Sequence, residues 1–453
     1  KTFTLLNNVA IYGGFQGDET KLAQRQPDPT RNDTILSGDL LGNDSGGSYS
    51  DNSFHVVSAI AVNETAVLDG FVITGGQADG VMGGVDEIGG GMYCKDAIPT
   101  LRNLVFAQNY AKDSGGGIYT KDCGSAGSPL SLANCSFVGN RSPYGGAMYN
   151  ETSDAEFTRC TFENNRAELR GGALYVHDGY AELTRSLFRS NFAVDGGGVF
   201  VENGNSPANA VFDRCIFTEN SSGKTGWIVG GGGLTVRGSN VLLRQCVLSN
   251  NRAGSIEHNA MGYGGAIFMH TAFVPGVSRV HLVNCTVCDN WGVYVGGIYL
   301  GNYQMVSAEN KLRLTNCIVY GNQAEHSLIN WNADPTPEEQ QITPYQEGFP
   351  REPKCVYLDH SCVEGLFELL NVSGQGLGNT SGDPLYQVES FGLVAISQGS
   401  SCIDRGNNWV DVDPLTPGLQ MLPSYDIFGL PRFFDGDGDG VDQVDIGAHE
   451  WHP

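Results

Sequence analysis

Two short patterns alternate along the middle of the sequence, and this alternation constrains the fold more than any other feature. The first pattern is Gly-Gly, then Gly or Ala, then an apolar and usually an aromatic residue. It starts at Gly89, Gly115, Gly145, Gly171, Gly196, Gly231 and Gly264, with a weaker copy at Val295. The second pattern is apolar-x-x-Asn, and it ends at Asn109, Asn140, Asn165, Asn191, Asn220, Asn251, Asn290 and Asn322. Eight unbroken alternations indicate a repeat protein with one structural unit in each repeat.

Each repeat contains only segments that resemble strands. They are short runs rich in Val, Ile, Leu, Phe and Tyr, bounded by Gly or Asn, and none shows the 3.6-residue spacing of a helix. Such a unit cannot bury its own apolar face, so it must stack on its neighbours at the strand spacing of ~4.8 Å. The paired glycines permit a tight corner with positive φ. Asn tolerates a left-handed corner and can hydrogen-bond along a ladder of its own kind. The repeat therefore predicts an all-β solenoid, a parallel β-helix.

The cysteines support the same register. Six of them lie five residues before the Asn of their repeat, namely Cys135, Cys160, Cys215, Cys246, Cys285 and Cys317. Only small or apolar residues occupy this slot in the other repeats, so we expect it to point inward and to hold reduced thiols. Cys94 with Cys123, and Cys355 with Cys362, are candidate disulfide pairs, which would suit an oxidising compartment.

The regularity of the repeats divides the chain into four parts. Residues 1–88 are expected to form irregular N-terminal coils, and residues 89–325 the regular β-helix. Residues 326–382 are predicted to be a loop excursion rich in Pro, Glu and Gln. Residues 383–453 are predicted to be degenerate coils that close the end of the solenoid and cover its sheet edge. The sequence opens within a strand-like run and shows no signal peptide, so we expect residues upstream of it.

The charge balance excludes some classes of partner. There are 26 basic and 50 acidic residues, for a formal net charge of −24 at pH 7. Nucleic-acid binding requires a basic surface, and direct binding of any other polyanion does too. An acidic surface suits solubility, divalent cations and neutral partners. No apolar run is long enough to span a membrane.

One acidic segment near the end of the chain resembles a calcium loop. Its carboxylates alternate with glycines and are Asp435, Asp437, Asp439, Asp442 and Asp445. Carboxylates at this spacing repel one another without a cation, and hard oxygen ligands are those that Ca²⁺ prefers. We therefore predict a structural Ca²⁺ bound outside any helix–loop–helix unit. The alternative is a solvated acidic turn.

Aromatic residues cluster on the flank from which the longer loops leave the coils. The main ones are Tyr144, Trp227, Tyr263, Trp291 and Tyr294. In one interpretation they form an exposed surface for sugar rings or a protein partner. In the other they pack beneath the long loops as small satellite cores.

The strands that carry catalytic groups in enzymes of this architecture hold no suitable residues here. The strands after the Gly-Gly corner and those that end at the Asn show no adjacent pair of carboxylates, the minimum for glycoside hydrolysis. Arg141, Arg166 and Arg252 resemble an exposed ladder more than a set of bases. The long loop offers Glu257 and His258 as the remaining candidates. We therefore assign no catalytic residue.

Particular motifs resemble known families. Gly171-Gly172-Ala173-Leu174, alternating with Phe137-Val138-Gly139-Asn140, resembles the passenger domains of chlamydial polymorphic outer membrane proteins. The ends of the chain resemble bacterial surface proteins of the choice-of-anchor Q type, through Leu68-Asp69-Gly70-Phe71 and Val444-Asp445-Ile446-Gly447-Ala448-His449-Glu450. Together these resemblances cover most of the chain. They imply a right-handed parallel β-helix and a secreted or cell-surface location, and little about activity.

The leading hypothesis is a non-catalytic extracellular protein with a structural, adhesive or assembly role in a filament or surface layer. Its expected partners are copies of itself or surface glycans. The alternatives are a polysaccharide lyase or glycoside hydrolase, and a sugar-binding module on the same fold.

Overall fold

Each coil consists of up to four short strands, and strands at the same place in successive coils pair in parallel. We number the sheets 1 to 4 in the order in which one coil visits them. Sheet 1 follows the Gly-Gly corner, sheet 3 precedes the Asn of the repeat, and sheet 4 follows that Asn. The structure is a computed structural model. It describes residues 2–28, 34–202, 209–223, 229–257, 260–270, 277–302, 310–326, 334–346, 355–365, 373–388, 392, 394–411, 419–422, 424–433, 435 and 441–452.

The chain forms two units. Unit 1 comprises Lys1–Ala193, Gly197–Phe200 and Gly204–Ala208, and unit 2 comprises Val194–Gly196, Val201–Asn203 and Asn209–Pro453. One strand of sheet 1, Val199–Glu202, has residues of both units.

Unit 1 contains all four sheets. Sheet 1 consists of Phe3–Thr4, Val57–Ile60, Met92–Lys95, Ile118–Lys121, Met148–Glu151 and Leu174–His177. Sheet 2 consists of Ala10–Tyr12, Val67–Asp69, Thr100–Arg102, Leu130–Ala133, Asp154–Thr158 and Tyr180–Thr184. Sheet 3 consists of Ile35–Ser37, Val72–Thr74, Val105–Ala107, Ser136–Val138, Thr161–Glu163 and Leu187–Arg189. Sheet 4 consists of Gln77–Ala78, Tyr110–Ala111, Arg141–Tyr144, Arg166–Arg170 and Phe192–Ala193. Three 3₁₀ turns lie at Leu22–Gln24, Asp44–Gly46 and Val85–Glu87.

Unit 2 repeats the same plan. Sheet 1 consists of Leu234–Arg237, Ile267–His270, Ile298–Asn302 and Ile342–Gln346. Sheet 2 consists of Asn209–Asp213, Asn240–Arg244, Arg279–Val283, Lys311–Thr315, Val356–Asp359 and Ser373–Gln375. Sheet 3 consists of Ile216–Thr218, Val247–Ser249, Thr286–Cys288, Ile318–Tyr320 and Cys362–Val363. Sheet 4 consists of Ser221–Ser222, Arg252–Ala253, Trp291–Gly292 and Gln323–Ala324. A short parallel pair, Val229–Gly230 with Gly262–Tyr263, and one helix, Pro337–Gln341, complete the coils.

The corners use one left-handed residue each, as the glycines predict. Gly115, the first of its pair, has φ 67°, and a Cβ there would collide with the carbonyl oxygen of Ile118. The prediction for Asn needs a correction, because the left-handed residue is the one before the ladder Asn. Gln108 and Asn164 occupy that place with φ of 54° and 55°. The ladder Asn is therefore free to point its side chain into the coil.

Identical residues stack inside the coils. The rings of Phe106, Phe137, Phe162 and Phe188 lie parallel in sheet 3 of unit 1, with centroids 4.7–5.1 Å apart. Beside them the Asn side chains form a continuous buried ladder: the Nδ2 of Asn140 donates to the Oδ1 of Asn165 at 3.0 Å. In unit 2 the corresponding ladder runs from Asn220 through Asn251 and Asn290 to Asn322. Each coil thus buries its polar groups by pairing them with the next coil.

All twelve cysteines are buried, and they include the six ladder cysteines, as predicted. The Sγ atoms of Cys94 and Cys123 lie 3.4 Å apart on adjacent coils, so this candidate pair is in contact. Cys362 packs in a cluster with Cys402, a neighbour that the sequence did not suggest.

The C-terminal segment, residues 383–452, differs from the closing coils expected for it. Where the structure describes this segment, its strand pairs are antiparallel: Tyr386–Val388 with Val394–Ile396, and Trp409–Asp411 with Leu419–Met421. It packs along the outward faces of sheets 2 and 3 of unit 2.

Several contacts hold the C-terminal segment in this position. The backbone N of Asn407 donates to the Oδ1 of Asn316 at 2.7 Å, and Ser249 donates to the carbonyl of Gly392 at 3.1 Å. Outward residues of sheet 3 in unit 2 include Val247 and Ile318, which pack in apolar clusters with this segment. Burial of those side chains is the physical reason that the segment lies along the coils.

Candidate functional site

Three of the five predicted aromatic residues meet in one cluster of unit 2. Tyr294 is buried, and the centroid of its ring lies 5.1 Å from that of Tyr263. Tyr263 in turn contacts Tyr299, with 4.8 Å between ring centroids, and Trp291 packs against the same cluster. Phe268 forms its floor. This arrangement agrees with the interpretation that these aromatics pack as a satellite core.

The other two aromatic residues do not join that cluster. Tyr144 lies in unit 1, beside Tyr175 at 6.0 Å between ring centroids. Trp227 lies outside the described residues. Trp291 has a second contact, because the guanidinium of Arg252 stands 3.7 Å from its ring centroid. This cation–π pair packs Arg252 against the aromatic cluster.

A small cavity opens beside the aromatic cluster. Its volume is about 150 Å³, and its lining consists of Ser255, Ile256, Ala260, Met261, Val293, Tyr294 and His326. Ile256 is half exposed, whereas Tyr294 is buried, and burial raises the pKa of the Tyr294 phenol. This phenol therefore stays neutral at physiological pH. The cavity combines an apolar wall with a few polar groups, which is the pattern of a small-ligand site. Nearby Glu257 is exposed, and His258 lies outside the described residues.

A row of polar side chains runs along the outward face of sheet 1 in unit 1. Lys121 Nζ lies 2.9 Å from Oε1 of Glu151, and Oε2 of the same carboxylate accepts a hydrogen bond from the Tyr119 hydroxyl. The Tyr149 hydroxyl lies 3.1 Å from Nδ1 of His177. The hydrogen bond from Lys121 to Glu151 raises the pKa of Lys121, and burial raises the pKa of both tyrosines. The carboxylate is thus held by its neighbours and is not a free base.

The sequence does not predict this row directly, because the slot next to the recurring aromatic position faces inward. The residue immediately after the aromatic, such as Thr120 or Asn150, is fully buried and points inward. The outward residue follows one position later, at Lys121 and Glu151. Successive side chains of a strand point to opposite faces, so the outward residues are the ones adjacent to the inward slot. The two-residue alternation along each strand is therefore the signal that predicts this row.

Unit 2 has its own charged groups at the same outward slot of sheet 1. Arg237 forms an ion pair with Glu202, and both side chains are nearly buried. The Thr235 hydroxyl donates to Asp195 at 2.8 Å, and Nε2 of His270 lies 3.9 Å from that carboxylate. Each charge has a partner of opposite sign or a hydrogen bond, as buried charges require.

Sheet 2 of unit 1 contains an adjacent pair of carboxylates that the sequence reasoning also missed. Glu156 and Glu182 are directly opposite each other on neighbouring strands, and the Tyr180 hydroxyl donates to Glu182 at 2.9 Å. In-register neighbours are ~5 Å apart, and like charges at that distance are unfavourable. Sheet 2 has no marker motif of its own, so the sequence does not single out this pair.

The C-terminal segment contains a buried network of charges. The guanidinium of Arg432 is fully buried and donates to Glu450 at 2.6 Å. Glu450 also accepts from the backbone N of Asp445 at 2.8 Å, and its own backbone N donates to Asp426 at 3.1 Å. Burial raises the pKa of Asp445 to about 7 and lowers that of His449 to about 4. Arg432, Glu450, Asp445 and Asp426 are all buried, and their hydrogen bonds join distant parts of the C-terminal segment.

The predicted calcium loop is only partly described. Asp435, Asp442 and Asp445 are described, whereas Asp437 and Asp439 lie outside the described residues. Both oxygens of Asp445 accept backbone N–H groups of the same segment, at 2.8 and 2.5 Å, so this residue belongs to the buried network. Within the described ranges, no group of three or more His, Cys, Asp or Glu side chains is placed to hold a metal ion. Among the described helices, none has the length and apolar character needed to cross a membrane.

A comparison with protein-family models agrees with the architecture. A family model described as "Right handed beta helix region" matches residues 43–241. The crystal structure of pectate lyase Pel9A is similar over 80% of this chain and 88% of that chain, with 12% sequence identity and a TM-score of 0.37. No curated protein matches the sequence. The long parallel sheets and the family model together confirm the predicted fold, and the chain is a right-handed parallel β-helix protein.

Proposed function

We propose that this β-helix is a non-catalytic secreted or cell-surface protein with an adhesive role, and that it binds neutral surface glycans. The cavity beside Ile256 and Tyr294 carries the proposal. Its lining contains no carboxylate, lysine or arginine among the described residues. An apolar wall with hydroxyl and imidazole groups at its rim suits a sugar, which has both apolar faces and hydroxyls.

The pairing of the charged side chains on sheet 1 supports a non-catalytic role. A general base must reach its substrate and must not be neutralised by a fixed partner. Glu151 is held by Lys121 and Tyr119, and Arg237 is paired with Glu202. These groups stabilise the coils in which they lie.

One observation favours a second function, glycoside hydrolysis. Glu156 and Glu182 face solvent on adjacent strands, and retaining glycosidases hold two carboxyl groups ~5–5.5 Å apart. Release of reducing ends from a polysaccharide, lost in both Glu156→Gln and Glu182→Gln, would promote this function over adhesion.

The adhesive proposal predicts that Ile256→Asp weakens glycan binding by about tenfold or more, because it places a charge at the apolar wall of the cavity. Affinity is measured by calorimetry against a panel of neutral oligosaccharides. The matched control is Ile60→Asp, since Ile60 is exposed to a similar degree on unit 1. Equal affinities for the two variants, or no binding of any neutral oligosaccharide by the parent protein, would contradict the proposal.

We also propose a structural Ca²⁺ in the segment from Asp435 to Asp442. Chelation with EDTA is expected to lower the melting temperature, because a cation that binds only the native state at 100 times its Kd adds ~2.7 kcal/mol. Differential scanning calorimetry with and without Ca²⁺ measures this shift. The variant Asp437→Asn/Asp439→Asn should melt at the chelated temperature in both conditions. If the parent protein melts at the same temperature with and without EDTA, the segment is a solvated acidic turn.

A further inference from the structure

One loop of unit 1 collects oxygen atoms that no hydrogen-bond donor reaches. It joins sheet 3 to sheet 1 in the first coil and runs from Asp39 to Asn52. Within the described residues, four of its side-chain oxygens are buried and accept no hydrogen bond, namely Oδ1 of Asn43, Asp44, Asp51 and Asn52. Buried polar atoms are nearly always paired, so four unpaired acceptors in one short loop require an explanation.

The loop fixes these side chains through their other polar atoms. The backbone N of Leu41 donates to Oδ2 of Asp51 at 2.9 Å. The Nδ2 of Asn52 donates to Oδ2 of Asp44 at 3.1 Å and to the carbonyl of Gly75 at 3.0 Å. Both partners of this amide are acceptors, so its nitrogen must face them and its Oδ1 must face away. The same bond joins the two ends of the loop and brings the unpaired oxygens together.

Negative charge is concentrated at the same place. Burial raises the pKa of Asp44, and the charges of Asp39 and Asp51 raise it further. Both oxygens of Asp39 accept backbone N–H groups of the loop, with the backbone N of Gly42 at 2.7 Å from Oδ1 and that of Asp44 at 3.2 Å from Oδ2. Asp39 therefore shapes the loop and adds charge, while its neighbours leave their Oδ1 atoms for a ligand.

We propose that the four unpaired oxygens of this loop are ligands of a calcium ion. Ca²⁺ takes about six to eight oxygen ligands, and these include carboxylates, amide carbonyls and water. The set has two carboxylates and two amides, so it differs from a group of three or more His, Cys, Asp or Glu side chains. The four residues are half-buried, so an ion can enter from solvent. A single water molecule explains the loop less well, because its two O–H groups would leave two of the oxygens unpaired.

This site lies in unit 1 and does not depend on the Ca²⁺ proposed near Asp435, so the test removes that second candidate first. The protein used is the full chain with Asp437→Asn/Asp439→Asn. Calorimetric titration with CaCl₂ is expected to show a single bound ion. MgCl₂ should bind at least about tenfold more weakly, because Mg²⁺ demands octahedral geometry and gives up its water reluctantly. Absence of Ca²⁺ binding, or equal affinity for the two ions, would overturn the proposal.

The decisive variant adds Asp44→Asn/Asp51→Asn, which preserves the size of both side chains and removes two ligand charges. Ca²⁺ affinity is expected to fall by about tenfold or more, because the number of charged ligands tunes the affinity of calcium sites. The matched control adds Asp18→Asn/Glu64→Gln instead, which removes two exposed carboxylates of the same unit. This control should leave the affinity unchanged. Equal Ca²⁺ affinities of the two variants would contradict the assignment.

Limited proteolysis gives a second readout that needs no substitution in the loop. Tyr49 lies in the loop and is 48% exposed, so chymotrypsin can cleave after it once the loop opens locally. A bound ion that ties the loop together should slow this cleavage by about tenfold or more. Peptide mapping with CaCl₂ and with EDTA measures the rate at this bond. A rate that is the same in both conditions would rule out calcium in this loop.

Discussion

Replacing Arg432 by Met is expected to lower the free energy of unfolding of unit 2 by about 3–5 kcal/mol, the cost of breaking a buried ion pair by removing one partner. Arg432 is fully buried, and its two terminal nitrogens donate to Glu450 at 2.6 Å and to the carbonyl of Ala448 at 3.2 Å. Without the guanidinium, Glu450 remains buried near the carboxyl groups of Asp426 and Asp445. The folded state must then bury excess negative charge or take up protons.

Urea unfolding measures the loss, and limited proteolysis shows whether the C-terminal segment is released before the coils. The control is Arg405→Met, because Arg405 is exposed in the same segment. The double variant Arg432→Met/Glu450→Met should recover much of the stability, since replacing both partners leaves no buried charge uncompensated. If Arg432→Met unfolds at the same urea concentration as Arg405→Met, the network does not hold the segment.

The fold could be predicted because the same residue types recur at equivalent positions of every repeat. Cys135 and Cys160 occupy one slot, and Asn140 and Asn165 another, so a register error in one repeat is exposed by the others. Stacked coils also make identical residues neighbours, which gives Asn and Phe a reason to recur. The periodic part of the sequence thus determined the coils, their inward slots and the glycine corners.

The polar sites could not be predicted as well, because they depend on which face a residue occupies. Glu151 differs from the inward-facing Asn150 by a single position, and an error of one residue moves every side chain to the other face. Glu156 and Glu182 are on strands that no motif marks. Arg279 and Lys311 are 32 residues apart and become neighbours only when the register is known.

The position of the C-terminal segment could not be predicted from local sequence patterns, for a different reason. Its contacts join residues far apart in sequence, such as Ser249 with Gly392 and Thr286 with Ala448. A weak signal did exist on the coils. The third residue of the sheet 3 strands faces outward, and it is Glu163 or Arg189 in unit 1 but uncharged Ser249 or Cys288 in unit 2. A charged pair suits water, whereas an uncharged slot can be covered, and Val394 of the segment packs against Cys288.

Replacing Asn165 by Ala is expected to destabilise unit 1 by roughly 3–6 kcal/mol. The Oδ1 of Asn165 accepts hydrogen bonds from the backbone N and the Nδ2 of Asn140, both at 3.0 Å. Its Nδ2 donates to the carbonyl of Phe137 at 2.9 Å and to the Oδ1 of Asn191 at 3.0 Å. All these groups are buried, and each one left without a partner costs about 1–3 kcal/mol.

The ladder also predicts how the loss is distributed. Because each Asn is bonded to the next, removal of a central member interrupts the row on both sides, whereas Asn109→Ala at its edge breaks fewer bonds to neighbouring Asn side chains. Urea unfolding should therefore rank Asn165→Ala below Asn109→Ala in stability. The control Asn164→Gly changes the adjacent corner residue, whose φ of 55° glycine adopts without strain, and should cost little. A loss for Asn165→Ala no larger than that for Asn164→Gly would mean that packing of the Phe row, not the Asn ladder, holds the coils in register.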